Sequence, residues 1–449
     1  MRTLIQAFRT KELRNKNLLV LGIIIIYRIG SFIPTPGVDY KVVNDCVANT
    51  TNNAENFIGL VNLFSGGAML QLSIFALGVM PYITASIVVQ LLRAVIPRFE
   101  ALHKEGQSGE AKLTQYTRYL TIGLAVLQST TILVTARSGA LFNYQCNNVI
   151  PDASIWNMVV MIMVMTGGTG LIMGMAELIT EKGIGQGMSI LIFLSICSGF
   201  LPQLWQIGWG TNGTDGNWTK FAIVTVVLLV IMIFVNYVEL SQRRIPVQYT
   251  RRMIGRKMYG GSSTYLPLKI NMSGVIPPIF ASSILAIPTL FAQFGNSQQS
   301  WVQWVNKYLA NTTSVWYICL YALMIVFFTF FYTEITFNPD ETADNMKQFG
   351  GFIPGIRAGS ATSRYLKYVI NRLNTVGAIY LLFVALLPTV LIMALKLNTQ
   401  LPFGGTTLLI IAGVGLDTLR QAKAQTEQYQ YAGFLFENTD HTEGKAIAK

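Results

Sequence analysis

The sequence contains few charged residues and almost no side chains that could form a metal or catalytic site. Asp, Glu, Lys and Arg make up 12% of its 449 residues, which is about half the share in an average soluble protein. Its two histidines and four cysteines have none of the spacings of zinc or redox sites. The Walker sequence GxxxxGK(S/T), whose backbone holds ATP phosphates, is also missing. The sequence therefore predicts no bound metal, no cofactor and no enzymatic activity of its own.

Apolar residues are abundant and occur in long runs. They make up 52% of the chain, and a helix that crosses the bilayer core needs about 20 of them in succession. The sequence predicts an all-α polytopic membrane protein with ten transmembrane helices. The predicted spans cover residues 18–32, 70–96, 119–135, 155–175, 184–205, 221–237, 274–291, 315–335, 375–395 and 401–416.

Charged side chains inside these spans are rare. Arg28 lies within the first span, and a charge at the bilayer centre costs about 3 kcal/mol. Its side chain must therefore lie near the membrane surface or face protein. The carboxylates lie almost entirely in loops, with Glu177, Glu239 and Glu334 at span ends. The spans offer no carboxylate pair or proton relay, which argues against an ion-coupled transporter.

The basic residues indicate the orientation of the chain. Most of the 33 Lys and Arg residues lie in the two termini and in the loops on the same side of the predicted spans. Because Lys and Arg concentrate in cytoplasmic loops, both termini are predicted to be cytoplasmic. The first apolar segment is not followed by a small-residue cleavage site, so we expect it to remain as a span.

Ten spans with both ends on one side of the membrane divide into two halves of five. An odd number of spans per half means that two related halves have opposite orientations and meet around a central pathway. The predicted division is a cytoplasmic amino-terminal segment 1–17, a first half 18–205, a second half 206–420 and a cytoplasmic tail 421–449.

A polar break that contains glycine precedes the second span. Ser65, Gly66 and Gly67 interrupt the apolar sequence with Gln71 close by, and Pro81 is predicted to lie in the middle of a long helix that follows. Non-helical backbone at membrane depth is tolerated only where it is buried in protein or lines a water-filled cavity. The break therefore predicts a re-entrant element inside a pore.

Five long stretches of the sequence are similar to one family of membrane channels. Among them are SIFALGVMPYITASIVVQLL (Ser73 to Leu92) and ITEKGIGQGMSILIF (Ile179 to Phe193). Together with Leu266 to Ser283, Phe337 to Gly359 and Leu401 to Ile410, they follow the order of the family along essentially the whole chain. The chain resembles the bacterial SecY family, the channel subunits of the Sec protein translocase.

The resemblance implies a protein-conducting channel of the bacterial cytoplasmic membrane. Such a channel moves unfolded preproteins across the membrane and releases signal sequences and transmembrane helices laterally into lipid. Its pore is closed by a ring of aliphatic side chains, which exclude ions by dewetting, and by a re-entrant plug helix on the outer side. The implied partners are SecE and SecG subunits, the motor ATPase SecA and the ribosome.

Particular residues acquire roles through this resemblance. Gln90 and Asn271 match polar positions of the lateral gate, although Asn271 could also be a helix-end amide facing the lipid headgroups. The plug corresponds to residues 59–73, which could otherwise form an interfacial helix; its named members are Leu60, Leu63, Phe64, Ser65, Gly66 and Gly67. The constriction ring corresponds to aliphatic residues beside helix breakers, which without the family would be ordinary packing residues: Val79, Ile83, Met188, Ile192, Ile279 and Ile410.

Two cytoplasmic loops, 242–269 and 337–374, are strongly basic. They contain more Lys and Arg than orientation requires, and such surfaces suit RNA phosphates or acidic proteins. The resemblance implies that they dock SecA and the ribosome. Arg357 is the residue of most interest, and it is followed by Ala358 where the family usually has proline. The implied docking residues are Arg243, Arg244, Arg251, Arg252, Arg256, Lys257 and Arg357.

Two cysteines are predicted to lie on the outer side of the membrane. Cys46 and Cys146 fall in outer loops, where an oxidising environment favours disulfides. The sequence therefore suggests a disulfide that joins these two loops, provided that their Cα atoms lie within about 7 Å of each other.

Two other classes of protein share part of this pattern. A solute transporter with inverted repeats would also have ten spans and broken helices, but it should have polar substrate-binding groups at the membrane midplane. A membrane insertase without a pore would need neither a plug nor a ring. The sequence favours the channel over both.

Overall fold

The computed structural model describes most of the chain. The described residues form two compact units, the first within Met1–Ala54, Ile58–Gln203 and Val414–Lys449 and the second within Leu204–Gly413. The residues described are 11–43, 46, 65–137, 149–151, 154–209, 218–249, 252–254, 257–259, 263–294, 299–309, 314–395, 407–425 and 427.

Helices make up most of the described chain. Helices α1 to α6 are Lys11–Phe32, Met80–Val95, Pro97–Lys104, Gln107–Arg137, Ile155–Lys182 and Gly187–Trp209. Helices α7 to α12 are Trp218–Leu240, Ile276–Phe294, Ser300–Tyr308, Val315–Thr336, Pro339–Gln348 and Ser360–Leu395. The last described helix, α13, covers residues 407–425.

Each of the ten predicted apolar segments overlaps one of these helices. Within the described residues, six helices are long and apolar enough to cross a membrane, and the bent pair α2 and α3 adds a seventh if it counts as one span. Helices α6 and α8 contain shorter apolar helical stretches, Gly187–Phe200 and Ile276–Leu285. The predicted all-α membrane fold is confirmed, and the count of ten spans is compatible with these helices.

The second predicted span begins later than the sequence suggested. Residues 65–79, called the turn segment below, form consecutive turns, and α2 begins only at Met80. Pro81 therefore lies in the first turn of α2 and not in the middle of a longer helix. Proline suits this place because the first backbone N–H groups of a helix have no partner within the helix.

The same observation corrects the expectation of a plug helix. In residues 65–73, which are the described part of the predicted plug, the backbone forms turns and no helix. Gly66 and Gly67 have φ angles of 68° and 92°, which belong to the left-handed region that glycine adopts without steric cost. The glycines that suggested a pliable helix instead lie in turns.

The basic loop 242–269 contains β-structure that our sequence interpretation did not predict. Strands β1 (Gln242–Tyr249) and β4 (Ser263–Lys269) are antiparallel, with Gln242 opposite Lys269. Strand β5 (Gly351–Phe352) pairs with the other edge of β1. A separate antiparallel pair is formed by β2 (Arg252–Ile254) and β3 (Lys257–Tyr259).

The side chains of β1 alternate between a buried and an exposed face. Ile245 and Val247 are buried, whereas Arg243 and Arg244 are exposed. Ile245 belongs to an apolar cluster that includes Leu366 of α12. Because a strand turns successive side chains to opposite faces, packing of the apolar face on α12 leaves Arg244 in solvent on the other face. Arg243 lies on the same face as Ile245 and is exposed near the start of the strand.

Helices α4 and α5 pack against each other in the first unit. Arg118 of α4 and Glu177 of α5 form an ion pair, with 2.7 Å between Nη2 and Oε1. The buried hydroxyl of Thr121 donates to the carbonyl oxygen of Thr117 in its own helix at 2.7 Å. These polar side chains of two membrane-spanning helices thus have partners inside the protein, as a lipid surrounding favours.

Candidate functional site

The turn segment, residues 65–79, is held against the carboxyl-terminal end of α1. The backbone N–H and the hydroxyl of Thr35 both donate to the carbonyl oxygen of Leu72, at 3.0 and 2.8 Å. The N–H of Ile74 donates to the carbonyl oxygen of Ile33 at 3.0 Å. These bonds pair backbone groups that a helix would satisfy internally. The segment can therefore be non-helical without leaving those groups unpaired.

A second set of contacts fixes Gly66 to α1 and α6. Nη1 of Arg28 donates to Oγ of Ser198 at 2.8 Å and to the carbonyl oxygen of Gly66 at 3.4 Å. Oγ of Ser198 also lies 3.4 Å from that carbonyl oxygen, and it lies 2.9 Å from the Ser195 carbonyl oxygen of its own helix, the nearer acceptor for its single proton. A Cβ atom on residue 66 would lie only 2.8 Å from Ser198 Oγ, so glycine permits the close approach. The guanidinium of Arg28 thus faces protein. This is one of the two surroundings expected from the sequence, the other being the membrane surface.

Tyr27 of α1 holds the other end of the turn segment. Its side chain is fully buried, and its hydroxyl shares a hydrogen bond of 2.6 Å with Oγ of Ser195 on α6. Its ring stacks on that of Phe75, with centroids 5.7 Å apart and planes inclined by 10°. Gly30 leaves the space beside α1 that the Phe75 ring occupies. Helix α1 and the residues that directly follow it therefore contact the turn segment near its start, its centre and its end.

Four of the six predicted ring residues belong to one apolar cluster in the first unit. Val79 is 1% exposed, and Ile83, Met188 and Ile192 pack against the same cluster while remaining half-buried. Phe75 of the turn segment is also a member. The structure thus brings these four aliphatic residues together next to the turn segment.

Five of the six predicted ring residues lie at the beginning of a helix. Val79 is the N-cap residue of α2, and Ile279 is the fourth residue of α8. Ile410 lies in α13, of which residues 407–425 are described. The helix breakers that we noted in the sequence are therefore helix starts wherever they are described. The remaining ring residues, within the first two turns of α2 or α6, are Ile83, Met188 and Ile192.

The two predicted gate residues have local partners. Asn271, which is 3% exposed, precedes α8, and its Nδ2 donates to Oε1 of Glu239 at 2.7 Å and to the carbonyl oxygen of Gly274 at 3.1 Å. Its Oδ1 accepts from Ser273 at 3.1 Å. Burial of Asn271 argues against an amide that faces the headgroups. Gln90 donates to Ser86 of its own helix at 3.3 Å.

The predicted plug is described only in part. Leu60, Leu63 and Phe64 lie outside the described residues. Ser65 is fully buried, and its Oγ accepts a hydrogen bond from the Met69 N–H at 3.1 Å. Burial of this serine agrees with an element inside protein rather than one exposed to lipid.

The predicted docking residues in loop 242–269 lie on or between the strands. Arg243 and Arg244 are exposed on β1, and the guanidinium carbon of Arg244 lies 4.8 Å from the ring centroid of Tyr265 on β4. The stacking holds one arginine in an extended position on the strand face. Of the others, β2 contains Arg252 and β3 contains Lys257, whereas Arg251 and Arg256 lie outside the described residues.

Arg357 is exposed on a turn that precedes α12. It is flanked by Gly355 and Gly359, whose φ angles are 83° and 102°. The carbonyl oxygen of Arg357 accepts a hydrogen bond from the Thr362 hydroxyl at 3.0 Å. These features define the turn although Ala358 occupies the position where proline was expected.

Few reactive side chains occur in the structure. Cys46 is disulfide-bonded and 3% exposed, while Cys197 and Cys319 have free thiols. Cys146 lies outside the described residues. In the part of the chain that the structure describes, no group of three His, Cys, Asp or Glu side chains is placed to hold a metal ion.

Sequence reasoning missed the residues of α1 and α6 that hold the turn segment. It treated Arg28 as a problem of insertion and gave no role to Tyr27, Ser195 or Ser198. A signal was present, because an ionisable residue inside a membrane span marks a functional site by default. Its partners could not be found from the sequence, since Ser198 is 170 residues away along the chain.

Comparison with known proteins identifies the family. The family model "SecY" matches residues 73–419. The protein translocase subunit SecY of Streptomyces scabiei is 56% identical over 432 residues, which cover 96% of this chain and 98% of the relative. This similarity extends over nearly the full length of both chains.

Solved structures share the fold. A SecY protein, described as having a plug domain that stabilises the closed state of the translocation channel, has a TM-score of 0.59 at 17% identity over 90% of each chain. Sec61 in the canine ribosome–channel complex from the endoplasmic reticulum has a TM-score of 0.58 at 16% identity, again over 90% of each chain. None of these matches favours a solute transporter. By sequence and by fold, the chain belongs to the SecY family of protein translocase subunits.

Proposed function

We propose that the chain is the central protein-conducting channel of the general secretory translocase in a bacterial cytoplasmic membrane. It passes unfolded preproteins across the membrane and releases signal sequences and transmembrane helices laterally into lipid. Both termini lie in the cytoplasm. The chain catalyses no reaction itself, so the energy for transport comes from the SecA motor or from the translating ribosome.

One observation carries the proposal: a buried, non-helical segment lies among membrane-spanning helices. Residues 65–79 are buried or half-buried throughout, and hydrogen-bond partners come from α1, from the residues just after α1 and from α6. A bundle built only for packing needs no such break, because a continuous helix satisfies its own backbone. We therefore assign residues 59–73 as a plug, in line with the plug domain of the solved SecY protein. Six aliphatic residues, Val79, Ile83, Met188, Ile192, Ile279 and Ile410, form the constriction ring.

The lateral gate is assigned to α2 and α8. Gln90 lies within α2, and Asn271 lies just before α8. Hydrogen bonds between membrane-spanning helices contribute about 0.6 kcal/mol on average. Interactions this weak would not prevent the apolar helix of a signal sequence from entering between α2 and α8. The buried network of Asn271 with Glu239 keeps the start of α8 in a fixed position during this movement.

The basic cytoplasmic surface is assigned to the partners that drive transport. The exposed side chains of Arg243, Arg244 and Arg357 suit ribosomal RNA phosphates and the acidic surface of a motor protein. The Sec61 neighbour is a member of a ribosome–channel complex, which supports a ribosome as one partner. SecE and SecG subunits complete the assembly by bracing the two halves.

Reconstitution tests this function. The chain is purified from native membranes with its copurifying subunits and placed in liposomes with SecA, ATP and a preprotein. We expect protease-protected preprotein that depends on SecA, on ATP and on the signal sequence. The matched control is the same preprotein without its signal sequence. Uptake of a small solute with no protection of preprotein would contradict the proposal in favour of a transporter.

A further inference from the structure

Helix α9 (Ser300–Tyr308) connects two membrane-spanning helices and presents distinct faces. Successive residues of a helix are rotated by about 100°. Val302 and Val305 lie on one face and are 1% and 6% exposed. They pack within the second unit, where α9 contacts α8. Trp301 and Trp304 lie on the adjacent face and are 48% and 55% exposed, so two large apolar side chains point away from the protein.

The exposed aromatic face continues onto the next span. The rings of Trp304 and Tyr308 have centroids 5.6 Å apart, and the rings of Tyr308 and Trp316 have centroids 6.5 Å apart. Trp316 is the second residue of α10, an apolar helix long enough to cross a membrane, and is 67% exposed. The aromatic face of α9 therefore lies at the depth at which α10 enters the bilayer.

The third face of α9 is polar. Gln303 and Lys307 are exposed. They lie on a third side of the helix, away from both the valine face and the aromatic face. Nζ of Lys307 lies 5.4 Å from the ring centroid of Tyr308. A cation next to interfacial aromatic rings is the arrangement by which helices contact phospholipid headgroups.

The connections keep α9 close to the membrane. Five residues separate α8 from α9, and six separate α9 from α10. Because each residue extends the chain by at most about 3.5 Å, α9 stays within about 20 Å of the ends of both spans.

We propose that α9 is an interfacial anchor that docks on phospholipid, on the leaflet where α8 ends and α10 begins. Trp301, Trp304 and Tyr308 enter the boundary between headgroups and acyl chains, and Lys307 faces the phosphates. The valine face holds α9 to the protein, so the anchor fixes the end of α8 at a constant depth. A second protein is a poorer occupant, because the aromatic face is continuous with a side chain at the lipid entrance of a span.

The test measures the immersion of α9 by spin labelling. Cys197 and Cys319 are first replaced by alanine, and Trp304→Cys is labelled with a nitroxide in nanodiscs of phosphatidylethanolamine and phosphatidylglycerol that contain the whole chain with its copurifying subunits. The matched control is Gln303→Cys, one residue along on the polar face. Trp301→Cys provides a second reporter if Trp304→Cys does not fold.

We expect the label at residue 304 to collide with oxygen more often than with a water-soluble nickel chelate. At residue 303, the ratio of collisions with oxygen to collisions with the chelate should be lower than at residue 304. Equal access of the chelate to both labels would overturn the proposal, because it would place the aromatic face in water. Exclusion of both reagents from residue 304 would also overturn it and would indicate a protein occupant.

Discussion

Arg28 and Ser198 join α1 to α6 through a hydrogen bond of 2.8 Å between Nη1 and Oγ. Arg28 also donates to the carbonyl oxygen of Gly66, and Oγ of Ser198 lies 3.4 Å from the same oxygen. A hydrogen bond to a charged group contributes about 1.5–3 kcal/mol, and its loss inside protein leaves a desolvated charge with fewer partners. The pair thus ties the start of the turn segment to two different helices and favours the state in which that segment stays in place.

Ser198→Ala should therefore loosen the turn segment. The substitution removes the oxygen that accepts from Arg28 and lies near Gly66 but leaves the charge of the site unchanged. A loss of about 1.4 kcal/mol changes a population ratio tenfold, so we expect the resting ion conductance of reconstituted channels to rise about tenfold. Planar-bilayer recording of purified channels measures this effect.

Ser129→Ala is the matched control for this prediction. Ser129 is fully buried, and its hydroxyl donates to the Val126 carbonyl oxygen of its own helix, α4, and not to the turn segment. Its replacement should leave the conductance unchanged. If Ser198→Ala and Ser129→Ala channels have the same resting conductance at normal abundance, the contacts of Arg28 do not keep the channel closed.

The membrane fold could be predicted from the sequence because hydrophobicity acts locally. Each apolar run must form a helix to satisfy its own backbone in lipid, so the position of each helix follows from composition alone. The boundary at Met80 was missed for a related reason. A proline that follows apolar residues suggests a kink within a helix. The hydrogen bonds of Thr35 and Ile33 to the backbone of residues 65–79, which help that segment to avoid a helix, come from distant positions in the sequence.

The site was predictable only where its residues lie in recognisable local sequence. The ring residues lie beside proline or glycine, and this pattern survives in the helix starts at Val79 and Ile279. The partners of Arg28 and Asn271 depend on contacts between distant segments, which no local pattern encodes. The β-hairpin that contains Ile245 and Val247 had a visible alternation, but the many arginines around it suggested a solvated loop.

Arg357→Glu should strongly reduce SecA-dependent translocation in the proteoliposome assay. The side chain is exposed on a turn whose shape depends on Gly355 and Gly359, so charge reversal should not disturb folding. Arg364→Glu, an exposed arginine on α12 with the same change in charge, serves as the control and should retain most activity. Equal activity of the two variants would contradict a special role for Arg357.

Neutralisation of Arg251 and Arg252 by glutamine should weaken binding of ribosomes to the reconstituted channel. Each lost phosphate contact reduces the slope of log affinity against log salt by about 0.7–0.9. We therefore expect weaker binding at low salt and a flatter salt dependence, measured by cosedimentation over a range of salt concentrations. An unchanged slope would mean that these two residues contact no phosphate.

Cys46 should be linked to Cys146. The structure leaves Cys197 and Cys319 as free thiols and has Cys46 in a disulfide, so peptide mapping without reduction should yield one linked pair and two alkylated cysteines. Removal of a native disulfide costs about 2–5 kcal/mol, so Cys46→Ser should lower the melting temperature, whereas Cys319→Ser should not. Alkylation of Cys46 in protein that has never been reduced would refute the link.

Ile410→Asn should open the seal. A ring of aliphatic side chains keeps water out because none of them forms a hydrogen bond with it, so one amide should stabilise a wetted pore. We expect the variant to leak ions and to accept precursors with defective signal sequences, because part of the opening has already occurred.

Ile233→Asn is the matched control, since Ile233 is 69% exposed on the apolar helix α7. It should reduce membrane insertion or stability without a leak, as polar groups exposed to lipid do. An Ile410→Asn channel of normal abundance that is as tight as the parent would mean that Ile410 is an ordinary packing residue and that the ring is assigned wrongly.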